Sequence, residues 1–222
     1  MLTPYGLNNI IVMGLLAVIM LAVGINFIHI KFLSIPLIAL SILLLFFTIW
    51  FFRDPDRSVP PDAVNDASIL VSPADGIVTE IEVEDEPLYL HKESKRISIF
   101  LSPLDVHVNR IPISGVVEYY TYNPGKFMIA SHPKASEANE QSRIGLSTPF
   151  GHILFKQIVG IVARRLVTEI KVGDSVKIGE RFGMMKFGSR MDIIVPTDTD
   201  VLVKIGDKVV AAETIIAKLK IH

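Results

Sequence analysis

The hydrophobic pattern of the chain changes character once, near residue 52. Before that point two apolar tracts, Ile10 to Ile28 and Phe32 to Phe52, are broken only by a short polar stretch from Asn26 to Lys31. Each tract is close to the ~20 residues that an α-helix needs to cross the hydrocarbon layer. The pattern predicts a membrane-anchoring helical hairpin over residues 1–52. A buried hairpin in a soluble core is the competing reading, but such a core rarely stays free of charge for so long. No basic stretch precedes the first tract and no small-residue cleavage site follows it, which argues against a signal peptide.

Beyond Phe52 the chain turns polar. Arg53-Asp54-Pro55-Asp56-Arg57 and Pro60-Pro61-Asp62 predict a rigid linker over 53–65 that is neither strand nor helix. β-Branched and aromatic runs then recur at Ile77 to Val83, Arg96 to Leu101, Gly115 to Tyr122 and His152 to Arg165, with Gly, Pro and Asp at their ends. Phe127 to Arg143 is polar and predicts a long loop or short helix, the kind of segment that often carries function. Residues 66–222 therefore read as one mainly β domain.

Its last third contains a repeat. Ile170-Lys171-Val172-Gly173-Asp174-Ser175-Val176 returns as Val203-Lys204-Ile205-Gly206-Asp207-Lys208-Val209, and Glu180 returns as Glu213. Each copy predicts strand, Gly-Asp turn and strand, so that two copies make a small sandwich with a hairpin tip between them. The pattern resembles the barrel-sandwich of biotinyl and lipoyl domains.

Charge and composition narrow the chemistry. Residues 1–52 hold one charged side chain, Lys31, so the remainder carries 21 basic and 23 acidic residues, a balance of 21 − 23 = −2. That balance offers no broad cationic surface for nucleic acid. With no cysteine in the chain, disulfides, thiolate metal sites and a cysteine nucleophile are excluded. Trp50 and Arg53 mark a membrane interface. Arg53 and Arg57 favour the cytoplasmic side for the β domain, against the contrary vote of Lys31.

The segment between the repeats, Met184-Met185-Lys186-Phe187-Gly188-Ser189-Arg190, admits three readings. A Gly-Ser pair is most often a plain turn. Met185-Lys186 is a partial match to the tip on which biotin is attached, which would make Lys186 a modified lysine of a membrane-tethered carrier. In the third reading the Ser189 hydroxyl attacks the carbonyl of Gly188, where glycine leaves room for a strained peptide. The resulting ester eliminates and hydrolyses to a pyruvoyl group. That route needs a base. Of the six histidines, His107 lies in Ser102-Pro103-Leu104-Asp105-Val106-His107-Val108-Asn109-Arg110, where strand alternation would put Asp105, His107 and Asn109 on one face. Asp75, in Ser72-Pro73-Ala74-Asp75-Gly76, reads on its own as a turn residue.

Taken in order, Phe52-Arg53-Asp54-Pro55, Ser72 to Gly76, Ser102 to Arg110 and Lys186-Phe187-Gly188-Ser189-Arg190 resemble the phosphatidylserine decarboxylase family in its short branch. His132-Pro133-Lys134-Ala135-Ser136 and Asn139-Glu140 resemble a further family segment. The resemblance implies that Asp75, His107 and Ser189 form a triad for self-cleavage between Gly188 and Ser189. It implies chains 1–188 and 189–222 held as a heterodimer, and a covalent pyruvoyl group in place of pyridoxal phosphate or metal. The substrate would be a serine phospholipid in the membrane, joined to the pyruvoyl group as a Schiff base. Its phosphate needs a cation, for which Lys126, Lys134, Arg143 and Arg190 are candidates.

Overall fold

The computed structural model describes residues 1–125, 139–160, 166–186 and 189–220. It divides into two compact units, Met1–Asp56 and Arg57–His222. The boundary falls inside the stretch read as a linker.

In the first unit a short 3-10 turn leads into α1 (Leu7–Asn26), which is followed by α2 (Lys31–Phe51). Their contact uses small residues, which let two backbones approach closely. The Ser41 hydroxyl donates to the Ala17 carbonyl at 2.7 Å. A side chain at Gly24 would begin 2.8 Å from Ile38. Elsewhere the helices expose large apolar side chains such as Phe32, Leu43 and Phe46. Both are long and apolar enough to cross a membrane. At the end of α2 the Arg53 guanidinium lies 4.2 Å over the Trp50 ring.

The second unit is mainly β, as expected. It opens with a single-turn helix, α3 (Pro61–Asn65), inside the segment expected to be irregular. Pro61 occupies the first helical turn, where a missing N–H costs nothing. Fourteen strands follow among the described residues: β1 (Ile69–Val71), β2 (Gly76–Glu86), β3 (Lys92–Leu101), β4 (Val108–Arg110), β5 (Gly115–Asn123), β6 (Gln141–Thr148), β7 (Gly151–Val159), β8 (Leu166–Thr168), β9 (Ser175–Val176), β10 (Arg181–Met185), β11 (Ser189–Pro196), β12 (Asp200–Val201), β13 (Lys208–Val209) and β14 (Ile215–Lys218). The main sheet has the order β13-β2-β3-β11-β7-β6-β5-β9, and two small sheets have the orders β4-β10-β8 and β1-β14-β12.

The main sheet curls. The β2–β3 turn reaches back over its outer face, where the Tyr89 ring stacks on Tyr119 of β5 at 5.5 Å. Gly145 of β6 is required there, because a Cβ would lie 2.7 Å from the Tyr89 ring. Beneath this arm a small apolar cluster of Leu90, Leu154 and Ile194 closes the space. On the inner face Val78, Ile97, Ile99, Leu101, Met191, Ile193, Ile153, Phe155, Ile144 and Val117 form the core.

The repeat is present in three dimensions, but its copies lie at opposite ends of the strand order. Gly173 N–H and Asp174 C=O bond to Val117, and Gly206 N–H and Asp207 C=O bond to Val78. Both glycines have left-handed backbone, φ 96° and 94°, a conformation that a Cβ disfavours. The two receiving segments are themselves alike. Ser72-Pro73-Ala74-Asp75-Gly76-Ile77-Val78 matches Ile111-Pro112-Ile113-Ser114-Gly115-Val116-Val117, a shift of 117 − 78 = 39. The expected hairpin between the repeats is not formed by β10 and β11, since β10 lies in a small sheet and β11 in the middle of the main one.

Candidate active site

Ser189 is the first residue of β11 and pairs with Leu101 of β3 and Val159 of β7. Along β11 it alternates in phase with Met191, Ile193 and Val195, so its side chain belongs to the inner face. It is fully buried. Its hydroxyl has no hydrogen-bond partner among the described residues. Gly188, the other side of the expected cleavage bond, lies outside the described residues.

His107 sits just before β4, and its carbonyl accepts from Met185 N–H at 3.1 Å. The loop that carries it leaves β3 directly after Leu101, the partner of Ser189. The ring is fully buried. Its Nδ1 lies 2.9 Å from the Asp105 carbonyl. Nδ1–H donates to that oxygen, which makes Nε2 the basic nitrogen of the neutral ring. Asp105 does not share a strand face with His107, as alternation predicted. Its carboxylate accepts from Ser102 N–H at 2.8 Å and closes a turn, because Ser102-Pro103 ends the strand early.

Asp75 precedes β2. Ile77 pairs with Phe100, so the start of β2 lies beside the end of β3 and two strand spacings, about 10 Å, from the start of β11. Asp75, His107 and Ser189 thus share one end of the main sheet. The Asp75 carboxylate accepts from Ala211 N–H and from Arg57, each at 2.8 Å. The first of these bonds has a counterpart in the other repeat, where the Ser114 hydroxyl accepts from Ile178 N–H at 2.9 Å.

Two residues passed over in the sequence complete the site. Gln157 breaks the apolar run of β7 and faces inward, opposite Met191. Its carbonyl oxygen accepts from Ser142 and Thr168 hydroxyls, both at 2.7 Å. Its amide donates to Asn109 Oδ1 at 2.8 Å. Gly183, opposite Asn109, makes room, since a Cβ there would lie 2.1 Å from the Val167 carbonyl and 3.2 Å from Gln157 Nε2.

The cations named for the phosphate are placed differently. Lys126 and Lys134 fall outside the described residues. Arg143 and Arg190 alternate onto the outer face, away from Ser189. Arg190 donates to Asp192 Oδ2 at 3.0 Å, and its Nε lies 2.9 Å from Oδ1 without hydrogen-bond alignment. Arg143 donates to Gln141 at 3.0 Å. Around them Arg96 pairs with Glu80, Glu82 and Glu84, and its hydrogen bond holds the Glu80 carboxyl below its ordinary range. Lys156, opposite Asp192, is shifted below the usual lysine value by burial. Lys186 is buried, unlike a lysine presented to a biotin-attaching enzyme.

The family model for phosphatidylserine decarboxylase matches residues 44–217, a span that contains all three residues. The chain belongs to that family. A phosphatidylserine decarboxylase proenzyme of Salinibacter ruber is 52% identical over 174 residues, covering 78% of this chain and 76% of the relative. The proenzyme of Symbiobacterium thermophilum is 44% identical over 174 residues, 78% of this chain and 79% of its own. That of Chlorobium luteolum is 41% identical over 218 residues, 98% of this chain and 100% of its own, so the likeness extends through both N-terminal helices. Family membership sets aside the reading of a carrier modified on Lys186.

Proposed function

We propose that this chain is a self-processing decarboxylase that converts phosphatidylserine to phosphatidylethanolamine and CO2. The observation that carries the proposal is the buried hydroxyl of Ser189, which has no hydrogen-bond partner among the described residues and stands at the start of a central strand. A buried hydroxyl without a partner forfeits about 1–3 kcal/mol, so its retention favours a reactive role. His107 Nε2 takes the hydroxyl proton, with Asp75 stabilising the imidazolium. Oγ bonds to the Gly188 carbonyl carbon, and the C–N bond breaks as nitrogen gains a proton. Loss of the Cα proton then breaks the Cβ–Oγ bond, leaving a Gly188 carboxylate and a dehydroalanine. Tautomerisation, addition of water and departure of ammonia give a pyruvoyl group at 189. The fit is good: residue 189 is enclosed by the core and free of competing bonds. Held at position 189, that group would supply the electron sink for loss of the substrate's carboxylate.

The chain's own residues do the rest. The inner face surrounds the leaving carboxylate with apolar side chains, where loss of its charge is favoured. His107 returns a proton to the substrate Cα. Of the four cations named for the phosphate, Lys126 and Lys134 remain candidates, since Arg143 and Arg190 alternate onto the outer face. Fragment 189–222 contributes β11, which pairs residue by residue from Ser189 to Pro196 with β3 and from Ser189 to Ile194 with β7. Dissociation would open the core, so the cut chains stay together as a heterodimer. The helices of residues 1–52 anchor the enzyme in the membrane that holds its substrate, with the β domain on the cytoplasmic side.

Mass spectrometry of the purified protein tests the reading. The expected products are residues 1–188 and a fragment of 222 − 188 = 34 residues whose N-terminus reacts with hydroxylamine. Ser189→Ala should remain whole and inactive. An S189A chain split at the same bond would refute the mechanism.

A further inference from the structure

We infer that Asn109 is the hydrogen-bond donor to the oxygen that becomes negative when Ser189 attacks the carbonyl carbon joined to its own nitrogen. The inference rests on the self-cleavage reading above. Asn109 is fully buried on β4. Its Oδ1 is occupied by Gln157, and Gln157 in turn is held by two hydroxyls, which fixes the carboxamide's direction. Its Nδ2 has no hydrogen-bond partner among the described residues. Two buried polar groups, the Asn109 Nδ2 donor and the Ser189 hydroxyl, therefore lack a hydrogen-bond partner among the described residues.

They are close. Gln157 and Val159 alternate onto the same face of β7, and Val159 is the partner of Ser189. Gln157 and Ser189 are thus diagonal neighbours, roughly 7 Å apart along the sheet, and Asn109 is in hydrogen-bond contact with Gln157. The attacked carbon is bonded to Ser189 nitrogen, so covalent geometry keeps it beside Oγ. As Oγ bonds to that carbon, the carbonyl π pair moves onto its oxygen, and the oxygen needs a donor in a site from which bulk water is excluded. When the C–N bond breaks, the pair returns and the donor is released. A neutral amide suits this step: it stabilises the charge without a proton of its own to lose.

The test follows appearance of the 34-residue fragment after pulse-labelled cell-free synthesis of the full chain. Asn109→Asp keeps the acceptor for Gln157 and replaces the donor with an oxygen. Asn109→Ala removes both without introducing charge. Thr168→Val is the matched control, since it removes one bond to Gln157 and leaves Asn109 intact. Loss of one such donor slows a reaction about 100- to 1,000-fold, and that is the expected fall in splitting rate for both Asn109 variants. Thr168→Val loosens Gln157 but leaves the Ser142 bond and the Asn109 donor in place, so it should slow splitting far less than either Asn109 variant, and unfolding midpoints report how much structure each change costs. Wild-type splitting by a folded Asn109 variant would overturn the inference. So would equal slowing by Thr168→Val at equal loss of stability. If the wild-type chain itself does not split at residue 189, it is the self-cleavage reading that fails.

Discussion

Replacing Arg190 by alanine separates two roles for the cation next to the cleavage point. Its sequence position suggested a phosphate ligand. In the fold its side chain is 3% exposed and its counter-ion Asp192 is fully buried. Without the guanidinium, the Asp192 carboxylate keeps the Ser98 hydroxyl at 2.7 Å as its nearest compensating donor. Breaking a buried pair by removing one partner costs about 3–5 kcal/mol, a large share of the roughly 5–15 kcal/mol that holds a domain together. The measurement is urea unfolding in a Ser189→Ala background, where every chain is uncut and the variants are comparable. Arg190→Ala should lower the unfolding free energy by that amount, and Arg190→Met combined with Asp192→Leu should restore part of it, because the pair is then removed whole while buried Lys156 loses the opposing charge of Asp192. Michaelis constants for lipid, measured on the cleavable chain, supply the contrary outcome. A stability within about 0.5 kcal/mol of the parent, together with a raised KM, would show that Arg190 serves substrate and that its pair with Asp192 is incidental.

Asp75 and Ser114 occupy equivalent turns, so Ser114→Ala should cost about 1 kcal/mol for one hydrogen bond and leave cutting unchanged. Asp75→Asn, which keeps an acceptor for Ala211, should slow cutting on the order of 10³- to 10⁴-fold, and normal cutting by D75N on a gel would remove Asp75 from the triad. Lys156→Met should stabilise the protein at neutral pH, because burial holds the folded-state pKa below the ordinary 10.5, so folding disfavours the charged lysine. Between the depressed value and 10.5 the unfolded chain binds more protons, wild-type stability rises with pH, and the advantage of K156M should shrink; an advantage constant across pH 8–11 in unfolding experiments would count against burial as the cause.

Local pattern was enough for the helical hairpin, the main strands and the repeat, since each depends on nearest neighbours along the chain. Long-range consequences were harder to read. Glu80, Glu82 and Glu84 alternate along β2 like a solvent-facing strip, and nothing local shows that all three converge on Arg96 or that Tyr89 carries the next turn across to Tyr119. Arg190 illustrates the same limit at shorter range. Read as part of an exposed tip, it can point anywhere; once Ser189 begins a strand, alternation alone sends it to the opposite face. The repeat pointed to the β-rich fold but not to its docking, since two similar units suggest a hairpin tip between them, whereas here each unit docks on its own copy of a Pro-x-x-Gly segment.

Those docking segments differ where chemistry enters. One repeat has Ser114 at the turn and Ile113 before it; the other has Asp75 and Ala74. Both side chains accept one backbone N–H from the docked repeat, so a hydroxyl suffices for the fold. A carboxylate in the second copy adds a charge that this hydrogen bond does not require, and Arg57 is placed to balance it. The excess charge lies on the copy whose strand runs beside β3 and the start of β11. A carboxylate where the other copy has a hydroxyl, at the end of the sheet that holds His107 and Ser189, suits stabilisation of an imidazolium, and this asymmetry between repeats supports the catalytic role proposed for Asp75.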